Sequence, residues 1–168
     1  SFDLASTAQT ADSPGGNLSA VVTASMHVDI NPVAATTGDD RLLYDGSALN
    51  GLAGVDTIEF RLGENLDFSA SPVKPTNIER FDLMPAGQNH SLGHLSVQDV
   101  LDMTGSGKSL TILGDSGDSV SLKSTVGGTW SAGGSQTVDG HSFDIYRNTQ
   151  DSSVRVLIEQ QINKSIDP

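Results

Sequence analysis

Short apolar runs separated by Gly, Asp, Ser and Asn recur along most of the chain, and they constrain the fold more than any other feature. The runs are rich in β-branched and aromatic residues, which is typical of strands bounded by turns. They span 41–44, 57–62, 66–69, 77–84, 110–113, 119–123, 141–148 and 154–162. This spacing predicts an all-β fold, either an antiparallel sandwich or a strand-rich solenoid.

Two local motifs refine this prediction. Ser96 followed three residues later by Asp99 is an N-terminal capping signal, and Gly105 suits a C-terminal cap, so one short helix is expected over 95–105. Asp139-Gly140 lies between two extended runs and predicts a type I′ hairpin turn.

Composition changes near both ends of the chain. Residues 1–17 are mostly Ser, Thr, Ala, Gly and Asp with a Pro-Gly-Gly break, which predicts a linker. Residues 18–162, beginning with a strand over 18–30, are expected to form one calcium-dependent ligand-binding domain, and 163–168 a tail. Because no apolar run approaches the roughly 18 residues of a bilayer span, membrane insertion is not expected.

Acidic side chains dominate the charge. Twenty-one acidic residues oppose nine basic ones, the net charge is −12, and the acids are mainly Asp. The short Asp side chain suits turns and loops that wrap hard cations. Self-repulsion at this charge favours bound cations, with a halophilic or simply soluble surface as the alternative. Such a surface argues against nucleic acid as a partner, and the absence of cysteine excludes thiolate metal sites.

The segment between Thr36 and Glu64 carries a calcium-binding pattern. Residues 51–59, GLAGVDTIE, match the nonapeptide repeat G-G-x-G-x-D-x-U-x at every fixed position except the second, and residues 37–42 repeat its second half. Glycines allow positive φ, and the Asp supplies oxygen ligands. Two such turns in succession predict Ca²⁺ between them, against plain Asp-Gly turns as the alternative. The predicted ligands are Gly38, Asp39, Asp40, Asp45, Gly54, Asp56 and Glu64.

Two further polar pairs are weaker candidates for calcium ligands. Asp29 and Asn31 share one face at the end of the strand over 18–30, and Asp115 and Asp118 lie in a Gly-rich loop that suits a calcium site or an Asx turn equally. Several calcium ions are therefore expected. The expected fold is an all-β, calcium-bound, β-sandwich-like domain with one short helix.

No catalytic motif is complete. His90 and His94 have the i, i+4 spacing of zinc ligands but lack the intervening Glu, so both are expected to be solvated loop residues. No G-x-S-x-G elbow occurs. The chain is therefore not expected to be an enzyme.

The order of these motifs resembles a module near the C-terminal end of giant repeats-in-toxin (RTX) adhesins of Gram-negative bacteria. Within that family the chain is most similar to the peptide-binding domain that precedes the RTX repeats. The resemblance lies in the segments GDDRLLYDG, NGLAGVDTIEF, NIERFDL, LSVQDVLDMTG, LTILGDSGDSVSL and TVDGHSFDIY.

This resemblance implies a calcium-bearing module outside the cell, exported by type I secretion and monomeric within a larger adhesin. Its partner would be the free C-terminal end of a peptide or protein on a host or neighbouring cell. Tyr44 and Arg61 are expected to donate hydrogen bonds to the ligand carboxylate, although Arg61 equally suits a surface pair with Glu59. The alternatives are a glycan-binding module, which would need an exposed aromatic such as Trp130, and a calcium-rigidified spacer.

Overall fold

The computed structural model of the protein describes residues 2–8, 22–28, 34–61, 63–84 and 87–168, in two units, Ser1–Pro32 and Val33–Pro168. In the small unit β1 (Phe2–Ala8) pairs antiparallel with β2 (Val22–Val28). β2 lies inside the strand predicted over 18–30. β1 lies in the predicted linker, so that segment contributes a strand instead.

The larger unit is mostly β, with one short helix and two sheets, which confirms the all-β prediction. Its described elements are, in chain order, β3 (Arg41–Leu43), β4 (Thr57–Glu59), β5 (Asn65–Asp67), β6 (Arg80–Asp82), β7 (Ser91–Ser96), α1 (Val97–Thr104), β8 (Ser109–Leu113), β9 (Ser119–Lys123), β10 (Trp130–Val138), β11 (His141–Asn148), β12 (Arg155–Glu159) and β13 (Asn163–Asp167). The segment predicted as a tail therefore contains β13, which pairs with β9 along its whole length.

From β4 to β9, successive strands alternate between the two sheets, whereas β3 and the run from β10 to β12 all lie in the larger one. One sheet has seven strands in the order β10-β11-β12-β8-β6-β4-β3, and the other has four in the order β13-β9-β7-β5. Over this stretch each turn of the chain adds one strand to each sheet, so neighbours run parallel, and antiparallel pairs occur only within β10-β11-β12. The two sheets are compatible with the β-sandwich-like prediction, but antiparallel pairing is wrong for most of this unit. The pairing matches the solenoid alternative, with successive coils stacked upon one another.

The main core lies between the two sheets, because alternate residues of both point inward. Phe81 is central: its ring meets the edges of Phe60 and Phe68 at centroid distances of 6.0 and 6.3 Å. Strands as short as three residues are held in place because each supplies at least one side chain to this core. Inward-facing members include Leu42, Ile58, Leu66, Leu92, Leu110, Ile112, Val120, Leu122, Val156 and Ile158.

The helix forms as its sequence predicts. The Ser96 side chain accepts the Asp99 backbone N–H, and the Asp99 carboxylate accepts that of Ser96, so the capping box is complete. Lys74 also contacts the buried Asp99 carboxylate. Next to this cap, Trp130 is buried and its Nε1 donates to the Leu95 carbonyl at 3.1 Å. The helix and Trp130 thus belong to the core.

The β10–β11 hairpin also follows its sequence. Asp139 and Gly140 both have positive φ, 52° and 84°, and Val138 pairs with His141 across the turn. Positive φ at both central residues is the type I′ geometry, which confirms the prediction. The turn joins β11 to β10, which forms one edge of the seven-stranded sheet.

Candidate functional site

Three acidic residues stand at equivalent positions in successive coils. Asp40, Asp56 and Glu79 immediately precede β3, β4 and β6, which are neighbours in the seven-stranded sheet. The Asp40 backbone N–H donates to Asp56 Oδ1 at 2.9 Å, and the Asp56 N–H donates to Glu79 Oε2 at 2.9 Å. The carboxylates of Asp56 and Glu79 thus each hold the coil before them, whereas the Asp40 carboxylate accepts the Thr36 N–H of its own turn. We call Asp40, Asp56 and Glu79 the acidic ladder.

Asp56 is the most constrained member of the acidic ladder. It is fully buried, yet its Oδ2 accepts no hydrogen bond from any described residue. A Cβ atom placed on Gly51 would collide with this oxygen and with the Asn77 carbonyl oxygen, so both atoms border the space that glycine leaves open. Leaving a buried carboxylate oxygen unsatisfied is costly, and a cation beside it would remove that cost.

The two glycine turns pack against each other. The Val55 N–H donates to Asp39 Oδ1 at 2.8 Å, which ties the second turn to the first. Gly54 has a φ of 136°, and a Cβ there would lie 2.6 Å from the Gly38 carbonyl oxygen. Only glycine fits this conformation and this approach. The structure therefore brings together the predicted residues Gly38, Asp39, Asp40, Gly54 and Asp56.

Negative charge is concentrated around Glu79. Burial raises the pKa of its carboxyl group, and the nearby charges of Asp56 and Asp39 raise it further, against the lowering effect of the hydrogen bond from the Asp56 N–H. However, no group of three or more His, Cys, Asp or Glu side chains within the described residues is arranged to hold a metal ion. A cation here would need backbone oxygens as well as carboxylates.

Two other predicted ligands are engaged in their own turns. Asp45 Oδ1 accepts the Ser47 N–H at 2.9 Å, and the Ser47 hydroxyl, followed by this N–H, lowers the pKa of Asp45. Glu64 Oε2 accepts the Arg61 N–H at 2.8 Å and lies 3.6 Å from His90 Nδ1. The predicted pair Asp29 and Asn31 lies outside the described residues.

The loop between β8 and β9 resembles the Asp56 turn but is satisfied internally. Asp118 is fully buried, with Oδ1 accepting the His90 N–H at 3.0 Å and Oδ2 accepting the Asp115 N–H at 2.8 Å. Asp115 Oδ1 in turn accepts the Gly117 N–H at 2.8 Å. Burial raises the pKa of Asp118, and the hydrogen bonds oppose that rise. The geometry matches the Asx-turn alternative for this loop.

The two residues predicted to contact a ligand carboxylate are occupied elsewhere. Tyr44 stacks on Phe60 with a centroid distance of 4.7 Å, and burial raises the pKa of its phenol. The Arg61 guanidinium pairs with Glu59 at 2.5 Å. The surface-pair alternative for Arg61 is the one that the structure contains.

The histidines differ from their prediction as solvated loop residues. His90 is buried, its ring packs edge-on against Phe60 at 5.7 Å, and its Nε2 has no hydrogen-bond partner among the described residues. His94 lies within β7, where a register shift and a φ of 55° turn its ring towards Asp67, 2.8 Å from the carboxylate. The position of His94 was not visible in the sequence because β7 has no clear alternation, and His90 directly precedes that strand.

A cleft that the sequence does not predict opens on the outer face of the seven-stranded sheet. Its volume is about 230 Å³, and it lies between Arg80 of β6, Thr111 of β8 and the turn of the β10–β11 hairpin. Only the parallel stacking of β6 and β8 brings these residues together, since they are far apart in the chain.

Comparison with protein-family models, curated proteins and solved structures finds no match to this chain. Within the described residues, no helix combines the length and the apolar composition needed to cross a bilayer. Function is therefore inferred from the site geometry and the sequence.

Proposed function

We propose that this chain is an extracellular, calcium-dependent adhesion module of a large RTX adhesin that binds the free C-terminal end of a peptide or protein on another cell. The proposed calcium dependence is supported by the Asp56 carboxylate, which is fully buried and has one oxygen without a hydrogen-bond partner among the described residues. A buried, unsatisfied anion in an acidic chain favours a cation as its missing partner.

The residues around Asp56 fit calcium rather than a softer metal. Ca²⁺ takes carboxylate and backbone carbonyl oxygens in flexible geometry, and the chain has no cysteine. Asp56, Glu79 and the Asn77 carbonyl would hold the ion, with Asp39 adding charge nearby. When bound, Ca²⁺ would neutralise these carboxylates and join three successive coils.

The proposed location follows from the same charge balance. Where calcium is scarce, a net charge of −12 opposes compaction. Where calcium is millimolar, the free energy of binding adds to the free energy of folding. A chain with this dependence suits export in the unfolded state followed by folding outside the cell.

The alternative ligand is a glycan, and the alternative role is a calcium-rigidified spacer. Sugar recognition commonly uses an exposed aromatic platform, but Trp130 is only 5% exposed and donates its Nε1 to the Leu95 carbonyl. The burial of Trp130 therefore favours the peptide ligand over the glycan.

Thermal unfolding in EDTA and in 100 Kd of CaCl₂ tests the calcium dependence. Saturating a single site to this extent stabilises by about 2.7 kcal/mol, which corresponds to a rise in Tm of roughly 5–10 °C. Equal midpoints in the two solutions would exclude calcium. Binding of a peptide library with free carboxylates, compared with its amidated counterpart and with glycans, separates adhesion to peptide ends from the two alternatives.

A further inference from the structure

One basic side chain lacks a counter-ion in the described part of the protein. Arg80 makes no ion pair and no side-chain hydrogen bond there, whereas each of the other eight Lys and Arg side chains has at least one partner. In a chain with 21 acidic residues, an arginine without a carboxylate partner is unexpected. The arrangement of its neighbours explains it.

Two acidic side chains beside Arg80 on the outer face of the sheet, Asp82 and Glu59, are engaged by other arginines. Asp82, two residues along the same strand, lies 2.5 Å from Arg41 Nη2, and Arg41 Nε also contacts Glu59. Glu59 is further engaged by Arg61 at 2.5 Å. Arg80 is therefore exposed, and its five N–H donors are available to an external anion.

The cleft beside Arg80 has an apolar floor. Phe143, Leu157 and Leu113 pack together on the outer face of the seven-stranded sheet, separate from the main core. Leu157 points outward because its neighbours Val156 and Ile158 point into the main core. An apolar group bound here would be removed from water next to a guanidinium.

The rim of the cleft adds polar groups at fixed positions. Thr111 lies directly beside Arg80 in the parallel register of β6 and β8, and its hydroxyl is available as a donor. On the opposite wall, Asp139 at the hairpin turn offers an acceptor to the N–H groups of a bound chain, and His141 is paired with Glu159 at 2.8 Å.

We propose that the Arg80 cleft binds a ligand whose carboxylate lies next to an apolar group, with Arg80 and Thr111 holding the carboxylate. At about 230 Å³ the cleft is smaller than pockets that enclose drug-sized molecules, so it accepts a single residue-sized group. Within this class, we assign as the ligand the C-terminal residue of a peptide, where that residue has an apolar side chain. This identification rests on the proposed function, whereas the carboxylate chemistry does not.

The test uses the whole chain and isothermal titration in saturating CaCl₂. The probes are an acetylated tetrapeptide ending in Leu with a free carboxylate, the same peptide amidated, and 4-methylpentanoate as a small acid with the same apolar group. Arg80→Gln should weaken binding of the free-acid peptide at least about 10-fold, since hydrogen bonds between charged groups contribute about 1.5–3 kcal/mol. Lys123→Gln removes one positive charge from the other sheet and should leave binding unchanged.

NMR chemical shifts of the backbone amides in the wild-type protein provide a second test, which does not depend on whether the variants fold. Addition of the free-acid peptide should shift Thr111, Val138 and His141. Wild-type affinity in Arg80→Gln, or shifts confined to other residues, would overturn the assignment. If the small acid alone binds and Arg80→Gln abolishes this, the cleft stands and the peptide is wrong. If calcium raises Tm and the peptide binds with Arg80 dispensable, only the cleft is wrong.

Discussion

Arg41 reaches across two strands of the seven-stranded sheet to Asp82, where its Nη2 lies 2.5 Å from the carboxylate. It contacts Glu59 on the way, and these pairs raise the pKa of its guanidinium although burial opposes the rise. The Arg41 side chain is exposed, so these pairs contribute little to the free energy of folding. Its consequence is spatial: it keeps Asp82 from neutralising Arg80.

Removing Arg41 should therefore weaken ligand binding at a distance. In Arg41→Gln, Asp82 is released and can pair with Arg80, two residues away on the same face of β6. We expect the affinity for the free-acid peptide to fall about 2- to 5-fold, the range of an exposed ion pair. Titration calorimetry measures this, with Tm recorded to show that folding is intact. An unchanged affinity would mean that Asp82 does not compete for Arg80.

Gly51→Ala tests the close packing beside Asp56. A Cβ at Gly51 would collide with the Asn77 carbonyl oxygen and Asp56 Oδ2, so the coil must shift. We expect a loss of about 1–3 kcal/mol in the free energy of unfolding, as for other overpacked sites. The matched control is Gly107→Ala, where nothing lies within 4 Å of the added Cβ. Denaturant unfolding of the two variants should differ clearly, and equal losses would contradict the packing.

Much of the fold follows from local sequence, but its pairing does not. The runs at 119–123 and 141–148 became β9 and β11 with the predicted bounds, and the capping box at Ser96 set the helix. The direction of pairing escaped prediction because apolar periodicity gives the buried face of a strand and not the direction of its neighbour. β7 and β10 were missed because each contains a register shift that breaks the alternation.

The candidate site was likewise predictable only where its residues lie close together in the chain. The glycine and aspartate spacing around Asp56 was visible because both turns lie close together in the chain. Glu79 contacts Asp56 from 23 residues away, and Arg80 is significant only because Arg41 occupies its neighbours. The roles of Glu79 and Arg80 both depend on the order in which the coils stack, and short-range sequence patterns do not determine that order.

Asp56→Asn separates the destabilising effect of the buried carboxylate from its contribution to calcium binding. The Asn side chain can still accept the Asp40 N–H, and its amide can donate to the Asn77 carbonyl that borders the same space. In EDTA the variant should thus be at least as stable as the wild type, since an unsatisfied buried group costs about 1–3 kcal/mol. In CaCl₂ it should lack the rise in Tm.

The control for this variant is Asp102→Asn on the exposed face of the helix, where the carboxylate accepts a hydrogen bond from Gln98 Nε2. It should keep the full calcium response. Melting curves in both solutions decide the outcome. A calcium shift retained in Asp56→Asn would place the ion elsewhere in the chain.

His141 gives the hairpin a pH dependence. Its hydrogen bond to Glu159 and the charge of Glu159 raise its pKa, with smaller contributions from Asp139 and Asp82, against a small lowering by burial. Because the folded-state pKa lies above the ordinary value of about 6.5, the pair stabilises fully below that pH and is lost as the pH rises through the raised value. In His141→Gln, the loss of unfolding free energy should be larger near about pH 5.5 than near about pH 8.5.

This prediction is tested by making His141→Gln in a protein that also carries Glu159→Gln. Without the carboxylate, His141→Gln should lose most of its pH-dependent effect, because the main source of the raised pKa is gone and only the smaller contributions of Asp139 and Asp82 are left. Glu159 also accepts the Gly114 N–H at 3.0 Å, so Glu159→Gln itself should destabilise at every pH. Urea unfolding of the four proteins at both pH values gives the coupling free energy directly. A coupling that is equal at the two pH values would show that His141 packs in the hairpin without titrating there.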